Sequence, residues 1–113
     1  MSAITTHVLD LALGRPAAGL AVRLERGEER AWVPMGDGRT DADGRLGTLL
    51  PAGQELAPGV YRLVFALEEY FTARGVQSFH PEAAVAFRVR AAGERHHVPL
   101  LVAPFGYSTY RGS

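Results

Sequence analysis

The chain has 113 residues, among them no cysteine and no lysine. Without cysteine there can be no disulfide, no thiolate nucleophile and no cysteine-ligated zinc. Without lysine there can be no Schiff base and no lysine general base. The 12 basic residues are all arginine, and 12 acidic residues balance them to a formal net charge of zero. Since this balance removes the usual electrostatic attraction to nucleic acid or an anionic membrane, we expect neither as a partner.

Long apolar runs are also missing, and none approaches the roughly 20 residues that span a bilayer. The N-terminal segment 1–12 has no basic start and carries Asp10 where a signal peptide would be apolar. The final Arg111-Gly112-Ser113 does not match a peroxisomal signal. We therefore expect a cytoplasmic protein.

What the chain does contain is typical of a folded globular domain, with 47% apolar and 21% charged residues. The length fits one domain, residues 1–113, and there are no internal repeats or linkers.

Most of the chain alternates apolar and polar residues with a period of two, which is typical of half-buried antiparallel strands. The alternation is clearest in residues 20–25, 61–67 and 85–90. Further strands are predicted at 3–11, 30–35, 45–50, 97–103 and 106–111, separated by turns rich in Gly, Asp and Pro, among them Gly36-Asp37-Gly38. Only residues 68–76 are predicted to be helical. The pattern predicts an all-β, two-sheet sandwich of about eight strands with one short helix.

The histidines are the best candidates for chemistry, because phosphate-loop, dinucleotide and Gly-x-Ser-x-Gly motifs are absent. His7 lies in the first predicted strand on the same face as apolar residues, where a histidine is more often a hydrogen-bonded packing residue than a catalytic one. His96 and His97 are adjacent on a strand and must point to opposite faces, so at most one can join His7. We expect the other to face solvent, and His80 to be exposed in a loop. Because no three or four ligands converge at metal-site spacing, we expect no metal and no cofactor.

Arg45 follows Asp43-Gly44 where a turn enters a strand. An ordinary exposed arginine is one interpretation. The other is a firmly held guanidinium that pairs in bidentate fashion with a carbonyl, imide or carboxylate edge.

The C-terminal segment 104–113 alternates aromatic and polar residues, whereas chain ends are usually polar and frayed. This pattern predicts a strand docked to its end, with Tyr110, Arg111 and Ser113 in ordered surroundings. A final strand with no chemical role is the alternative.

Together these segments make the chain resemble the 5-hydroxyisourate hydrolases, a family of transthyretin-related proteins. The resemblance rests on residues 6–10, 14–17, 40–45, 70–71, 79–82, 97–101 and 104–113. Its most specific element is the terminal Tyr110-Arg111-Gly112-Ser113, which true transthyretins lack although they share the fold. His96 departs from the family, which commonly has an aromatic residue such as tyrosine there.

The resemblance implies a transthyretin-like (prealbumin-like) two-sheet antiparallel sandwich that assembles as a homotetramer with its sites at the dimer–dimer interface. It also implies metal-free hydrolysis of the ring amide of 5-hydroxyisourate during urate (purine) degradation. The catalytic set carried over is His7, Arg45, His97 and Ser113. His7 and Arg45, with Tyr110 and Arg111, form the substrate-binding set.

In this hypothesis one histidine activates water and Arg45 stabilises the oxyanion, while the choice between His7 and His97 as the base stays open. A transthyretin-type carrier of an aromatic ligand and a purely structural module are the competing interpretations. The first of these would gain little from ionisable groups in its site.

Overall fold

The computed structural model describes residues 2–113, which form two β-sheets packed face to face and one short helix. In chain order the elements are β1 (Ile4–Asp10), β2 (Arg15–Pro16), β3 (Ala21–Gly27), β4 (Trp32–Arg39), β5 (Arg45–Leu46), β6 (Gly59–Phe65), α1 (Leu67–Thr72), β7 (Ala83–Val89), β8 (His96–Ala103) and β9 (Gly106–Thr109). The predicted two-sheet sandwich with one short helix is confirmed. Within residues 2–113 no helix has the length and apolarity needed to cross a membrane.

The first sheet has the order β2-β1-β8-β9, and β5 also pairs with β1; the second has the order β4-β3-β6-β7. All neighbouring strands run antiparallel except β1 and β8, which are parallel. These two strands come from opposite ends of the chain, so no hairpin joins them. Their register sets Thr5 opposite His97.

The core lies between the sheets and is built from the residues whose alternation predicted it. Leu20, Val22 and Leu24 are buried, and so is the 61–67 face. The helix buries Leu67, Tyr70 and Phe71, which share one side at helical spacing. Fully burying a side chain of this size is worth about 1.5–3 kcal/mol.

The glycines at 36 and 38 lie inside β4 rather than in the predicted turn, and β4 therefore extends to Arg39. A Cβ at Gly36 would overlap the carbonyl oxygen of Leu49, and one at Gly38 would lie 3.0 Å from Leu46 Cδ1. These glycines permit close packing of the 46–49 segment. The same packing replaces most of the predicted 45–50 strand with a loop, so only Arg45–Leu46 pair with β1.

A polar group, which we name the Asp10 cluster (Asp10, Tyr70 and Arg74), joins the end of β1 to the helix. Asp10 and Tyr70 are buried, and Arg74 is exposed. The Asp10 carboxylate accepts hydrogen bonds from the backbone N–H groups of Ala12 (2.9 Å) and Leu13 (3.1 Å) and from the Tyr70 hydroxyl (2.8 Å). Arg74 lies over the Tyr70 ring, 3.7 Å from its centre. Burial, reinforced by the bond to Asp10, raises the pKa of Tyr70 to about 12.

Candidate active site

The outer face of the first sheet brings three of the predicted site residues onto neighbouring strands. His7 of β1 lies opposite Arg45 of β5, and His97 of β8 lies opposite Thr5 of β1. Side chains two apart on a strand share a face, and so do residues paired directly across strands. His7, Arg45 and His97 therefore lie on one face, and we name them the outer-face cluster.

The His7 ring is held by the turn that precedes Arg45. Its Nε2 lies 2.9 Å from the backbone carbonyl oxygen of Asp43. Because a carbonyl can only accept, Nε2 carries the proton and donates it. The lone pair of neutral His7 is therefore on Nδ1.

The His97 ring is held through its other nitrogen. Its Nδ1 lies 2.8 Å from Thr5 Oγ1. Burial lowers the pKa of His97, and the charges of Arg45 and His7 lower this pKa further. As a result, His97 is biased toward its neutral form, in which one ring nitrogen can accept a proton.

The C-terminal tail lies against His97 at Gly112. The predicted final strand, however, ends at Thr109 rather than at residue 111, and Tyr110 is 59% exposed. The Gly112 N–H donates to the His97 carbonyl oxygen at 2.8 Å, forming an isolated antiparallel bridge beyond β9. A Cβ at Gly112 would overlap His97 Cδ2 and lie 3.2 Å from Pro99 Cγ. Only glycine lets the tail approach the imidazole this closely.

A cavity of about 520 Å³ opens beside Arg45, His97 and the tail, and His7 is not among its lining residues. Its lining comprises Ser2, Thr5, Thr6, Arg45, Leu46, Gly47, Arg95, His96, His97, Gly112 and Ser113. Within residues 2–113, the Arg45 guanidinium makes neither an ion pair nor a side-chain hydrogen bond. Arg45 is therefore a cation held at the cavity with its donors available to a ligand.

Tyr110 and Arg111 are not brought to this cavity within one chain. They line a second cavity of about 300 Å³, between β7 and the β8–β9 hairpin. The Arg111 guanidinium lies 3.6 Å from a carboxylate oxygen of Glu94. Their predicted contact with substrate stays a prediction.

The expectation that the second histidine of the pair faces solvent is wrong. His97 occupies the outer face, so strand alternation turns His96 into the core, where it is 5% exposed. Its ring centre lies 5.7 Å from that of Phe87, and neither ring nitrogen has a hydrogen-bond partner within residues 2–113.

His80 is likewise less exposed than predicted. It is half-buried, with ring centres 4.9 Å from Phe79 and 5.1 Å from Tyr107. Contacts between the loop and the β8–β9 hairpin, which local sequence does not reveal, account for this.

Among the residues that the structure describes, no group of three or more His, Asp or Glu side chains is arranged to hold a metal ion. The groups that the site offers to a ligand are the imidazole of His97, the guanidinium of Arg45 and the C-terminal residues Gly112 and Ser113.

Two contributors were missed by the sequence analysis: the Thr5 hydroxyl and the Asp43 carbonyl. Thr5 shares a face with His7, which is a usable signal, but its place opposite His97 depends on the parallel pairing of β1 and β8. The Asp43 contact is made by backbone, so residue type carries no signal for it.

The fold and site define a small transthyretin-like β-sandwich with a cationic cavity on one outer sheet face. A family model described as the HIUase/Transthyretin family matches residues 4–112. The chain belongs to this family.

Curated relatives and solved structures include members with two different names. A 5-hydroxyisourate hydrolase of Caulobacter vibrioides is 49% identical, with 100% of both chains covered. One from Mus musculus is 45% identical, over 99% of this chain and 96% of the relative. The structure of Klebsiella pneumoniae 5-hydroxyisourate hydrolase matches with a TM-score of 0.84 and 36% identity, covering 97% of this chain and 98% of that one. Transthyretin from Sparus aurata matches with a TM-score of 0.90 and 30% identity, covering 99% and 97%.

Proposed function

We propose that this chain is a 5-hydroxyisourate hydrolase, an enzyme that opens a cyclic amide with water. The observation that carries the proposal is the pairing, at one cavity, of an unpaired Arg45 guanidinium with an imidazole, His97, whose pKa is lowered. The names of the relatives at 45–49% identity support the same activity.

Arg45 has the chemistry to stabilise the tetrahedral intermediate. Its planar fork of N–H donors can bind the ring carbonyl oxygen as negative charge develops there. A donor of this kind, held in place before reaction, typically contributes about 10²–10³ in kcat.

His97 is the general base in this proposal, because its lowered pKa favours the neutral ring. The reaction uses the tautomer in which His97 Nδ1–H donates to Thr5 Oγ1. Nε2 of this neutral ring takes a proton from water while the water oxygen adds to the ring carbonyl carbon. The carbon–nitrogen bond then breaks, and the leaving nitrogen receives the proton held on His97 Nε2, which returns the ring to its neutral form. The product is 2-oxo-4-hydroxy-4-carboxy-5-ureidoimidazoline, formed without a covalent enzyme intermediate.

The chain acts as a homotetramer in this proposal, with each site at the dimer–dimer interface and Tyr110, Arg111 and Ser113 contributing to it. The cavity opens on an uncovered sheet face, and Leu11 and Leu13 beside that sheet are 58% and 54% exposed. Covering such residues favours association. Light scattering should give the mass of four chains of 12.2 kDa each.

A carrier function is the second candidate, because transthyretins share the fold. One neighbour is described as sea bream transthyretin in complex with thyroxine, at a TM-score of 0.88 and 31% identity. An ionisable lining of arginine and histidine disfavours a large apolar ligand, since those groups would lose hydration without a matching partner. Calorimetric titration with thyroxine should show no binding at micromolar protein.

The activity is tested by adding the protein to urate while urate is being oxidised and following the decay of hydroxyisourate absorbance. The decay should accelerate in proportion to protein concentration. Decay unchanged at a large molar amount of protein would exclude the proposed function.

The sequence also predicts a cytoplasmic location, which stays a prediction. Fractionation of the producing cells, followed by detection of the protein in the soluble cytoplasmic fraction, tests it.

A further inference from the structure

We propose that Asp41 is a positioning residue for the active site, because its side chain fixes the turn that holds both His7 and Arg45. The inference rests on the proposed function for its effect on turnover. Its structural part, the fixed position of the His7 ring, can be measured without substrate.

Asp41 organises the turn through both its side chain and its backbone. Asp41 Oδ1 accepts hydrogen bonds from the backbone N–H groups of Asp43 and Arg45, each at 2.9 Å. The Asp41 N–H donates to the Arg45 carbonyl at 2.9 Å, and the Gly44 N–H donates to the Asp41 carbonyl at 2.9 Å. A short carboxylate is suited to this arrangement, because it reaches N–H groups two and four residues ahead and its charge strengthens both bonds.

This turn is hydrogen-bonded to β1 at two consecutive residues, His7 and Val8. The Val8 N–H donates to the Gly44 carbonyl at 2.8 Å, and His7 Nε2 donates to the Asp43 carbonyl at 2.9 Å. Gly44 has φ of +75°, and a Cβ there would overlap the Val8 carbonyl oxygen. The turn therefore approaches β1 closely, with the Asp43 carbonyl directed at His7.

The consequence is that one carboxylate controls two groups of the outer-face cluster. Asp43, bonded to Asp41 through its N–H, supplies the carbonyl that orients His7. Arg45, bonded in the same way, begins the strand that faces His7. A displacement of about 1 Å in a positioned group can cost on the order of 10² in rate. Loss of the Asp41 carboxylate should therefore act mainly on kcat, since substrate contacts are disordered rather than removed.

The test compares Asp41→Ala, Asp41→Asn and Asp37→Ala. Asparagine keeps the Oδ1 acceptor, so it should retain kcat within about threefold, whereas alanine should lower kcat by about 10–100-fold. Asp37 is exposed on β4 of the other sheet, and its replacement by alanine removes an equal charge from a strand outside the 41–45 turn. Asp37→Ala should leave turnover unchanged.

A second readout separates positioning from general destabilisation. In protein labelled with ¹⁵N-histidine, neutral His7 should show one tautomer, protonated at Nε2. Asp41→Ala should introduce the second tautomer at His7, while His97, held by Thr5, keeps a single tautomer. Asp41→Asn should resemble the unaltered protein.

Three results would overturn the inference. The first is a kcat of Asp41→Ala within twofold of the parent, and the second is a loss of more than tenfold in the kcat of Asp41→Asn. The third is a His7 spectrum that Asp41→Ala leaves unchanged. If Asp41→Ala does not fold, the Asp41→Asn result decides alone. A parent protein that lacks hydrolase activity but shows the His7 response would refute the proposed function and leave the positioning role in place.

Discussion

Strand β1 contributes to two polar clusters, one at its Asp10 end and one on its outer face around His7. The two differ in whether their charged groups find partners within the chain. In the Asp10 cluster the carboxylate is 2% exposed and receives three hydrogen bonds from its own chain. In the outer-face cluster, an arginine and two histidines lie together, and no ion pair to a carboxylate is found for them within residues 2–113.

This difference distinguishes a polar cluster that stabilises the fold from one whose polar groups are available to a ligand. A buried charge whose partners are all internal stabilises the fold and has nothing left to offer a ligand. Neighbouring cationic groups without counter-charges disfavour the folded state, and such sites are typical of binding or catalysis. Five predictions test whether the two clusters act separately, in order of decreasing effect.

Replacing Arg45 with alanine should reduce kcat about 10²–10³-fold, because the oxyanion loses its principal donor. Steady-state turnover of hydroxyisourate measures this. Arg26→Ala is the matched control, since that guanidinium pairs with Glu28 at 2.6 Å on the surface, where such a pair is worth about 0–1 kcal/mol. Equal activity in both variants would remove Arg45 from the mechanism.

Gly112→Ala should lower kcat/KM about 10–100-fold, because the added methyl group forces the tail away from His97 and a small displacement is costly in a catalytic site. Gly106→Ala in the β8–β9 hairpin is the control, since a Cβ there meets nothing within 4 Å. Comparable turnover by the two variants would show that the tail's position is irrelevant to the reaction.

Tyr70→Phe should lower the free energy of unfolding by about 1–3 kcal/mol while kcat/KM stays unchanged, because buried Asp10 loses a donor remote from the reaction. Urea unfolding followed by tryptophan fluorescence measures the change. Tyr61→Phe, which removes a bond to the neutral Ala57 carbonyl, should cost less, about 1 kcal/mol. If Tyr70→Phe reduced turnover at full stability, the two clusters would not be independent.

The smallest effects are shifts in titration. The pKa of His97 should lie below its ordinary value of 6.5 and move upward in Arg45→Gln, because a neighbouring cation has been removed. His7→Asn should raise the pKa of His97 by a smaller amount, because His7 lowers this pKa less than Arg45 does. Histidine NMR titration measures both, and an unchanged pKa in Arg45→Gln would contradict the coupling.

The two clusters should also respond to opposite ends of the pH scale. Below pH 6.5 the unfolded chain binds more protons at His97 than the folded chain does. The contribution of His97 to the free energy of unfolding therefore falls on acidification. The pKa of Tyr70 is raised from 10.0 to about 12. Between these two pH values the unfolded chain has lost a proton that the folded chain still holds, so the contribution of Tyr70 to the free energy of unfolding falls as pH rises. Thermal unfolding measured across pH 9–12 should show this alkaline loss of stability in the parent protein and not in Tyr70→Phe.

Much of the fold follows from period-two alternation, because inward-facing residues such as Leu63 and Phe65 must be apolar wherever the sheets meet. What alternation does not reveal is which strands become neighbours. The parallel pairing of β1 with β8 sets Thr5 beside His97 and turns His96 inward, and both depend on contacts between opposite ends of the chain.

The candidate site divides in the same way. His7, Arg45 and His97 were identified by residue type and resemblance, and the sheet register brings them together. Tyr110 and Arg111 line another cavity within one chain, and no local pattern indicates whether assembly joins the two surfaces. The Asp43 carbonyl is backbone and is visible only in the folded turn.

The most direct test of the account is a crystal structure of this protein with a slowly hydrolysed cyclic analogue that keeps the planar ring carbonyl. We predict the carbonyl oxygen within hydrogen-bond distance of the Arg45 guanidinium, with the carbonyl carbon facing His97 Nε2. An analogue bound elsewhere, with Arg45 and His97 left to solvent, would contradict the assignment of the reaction to the outer-face cluster.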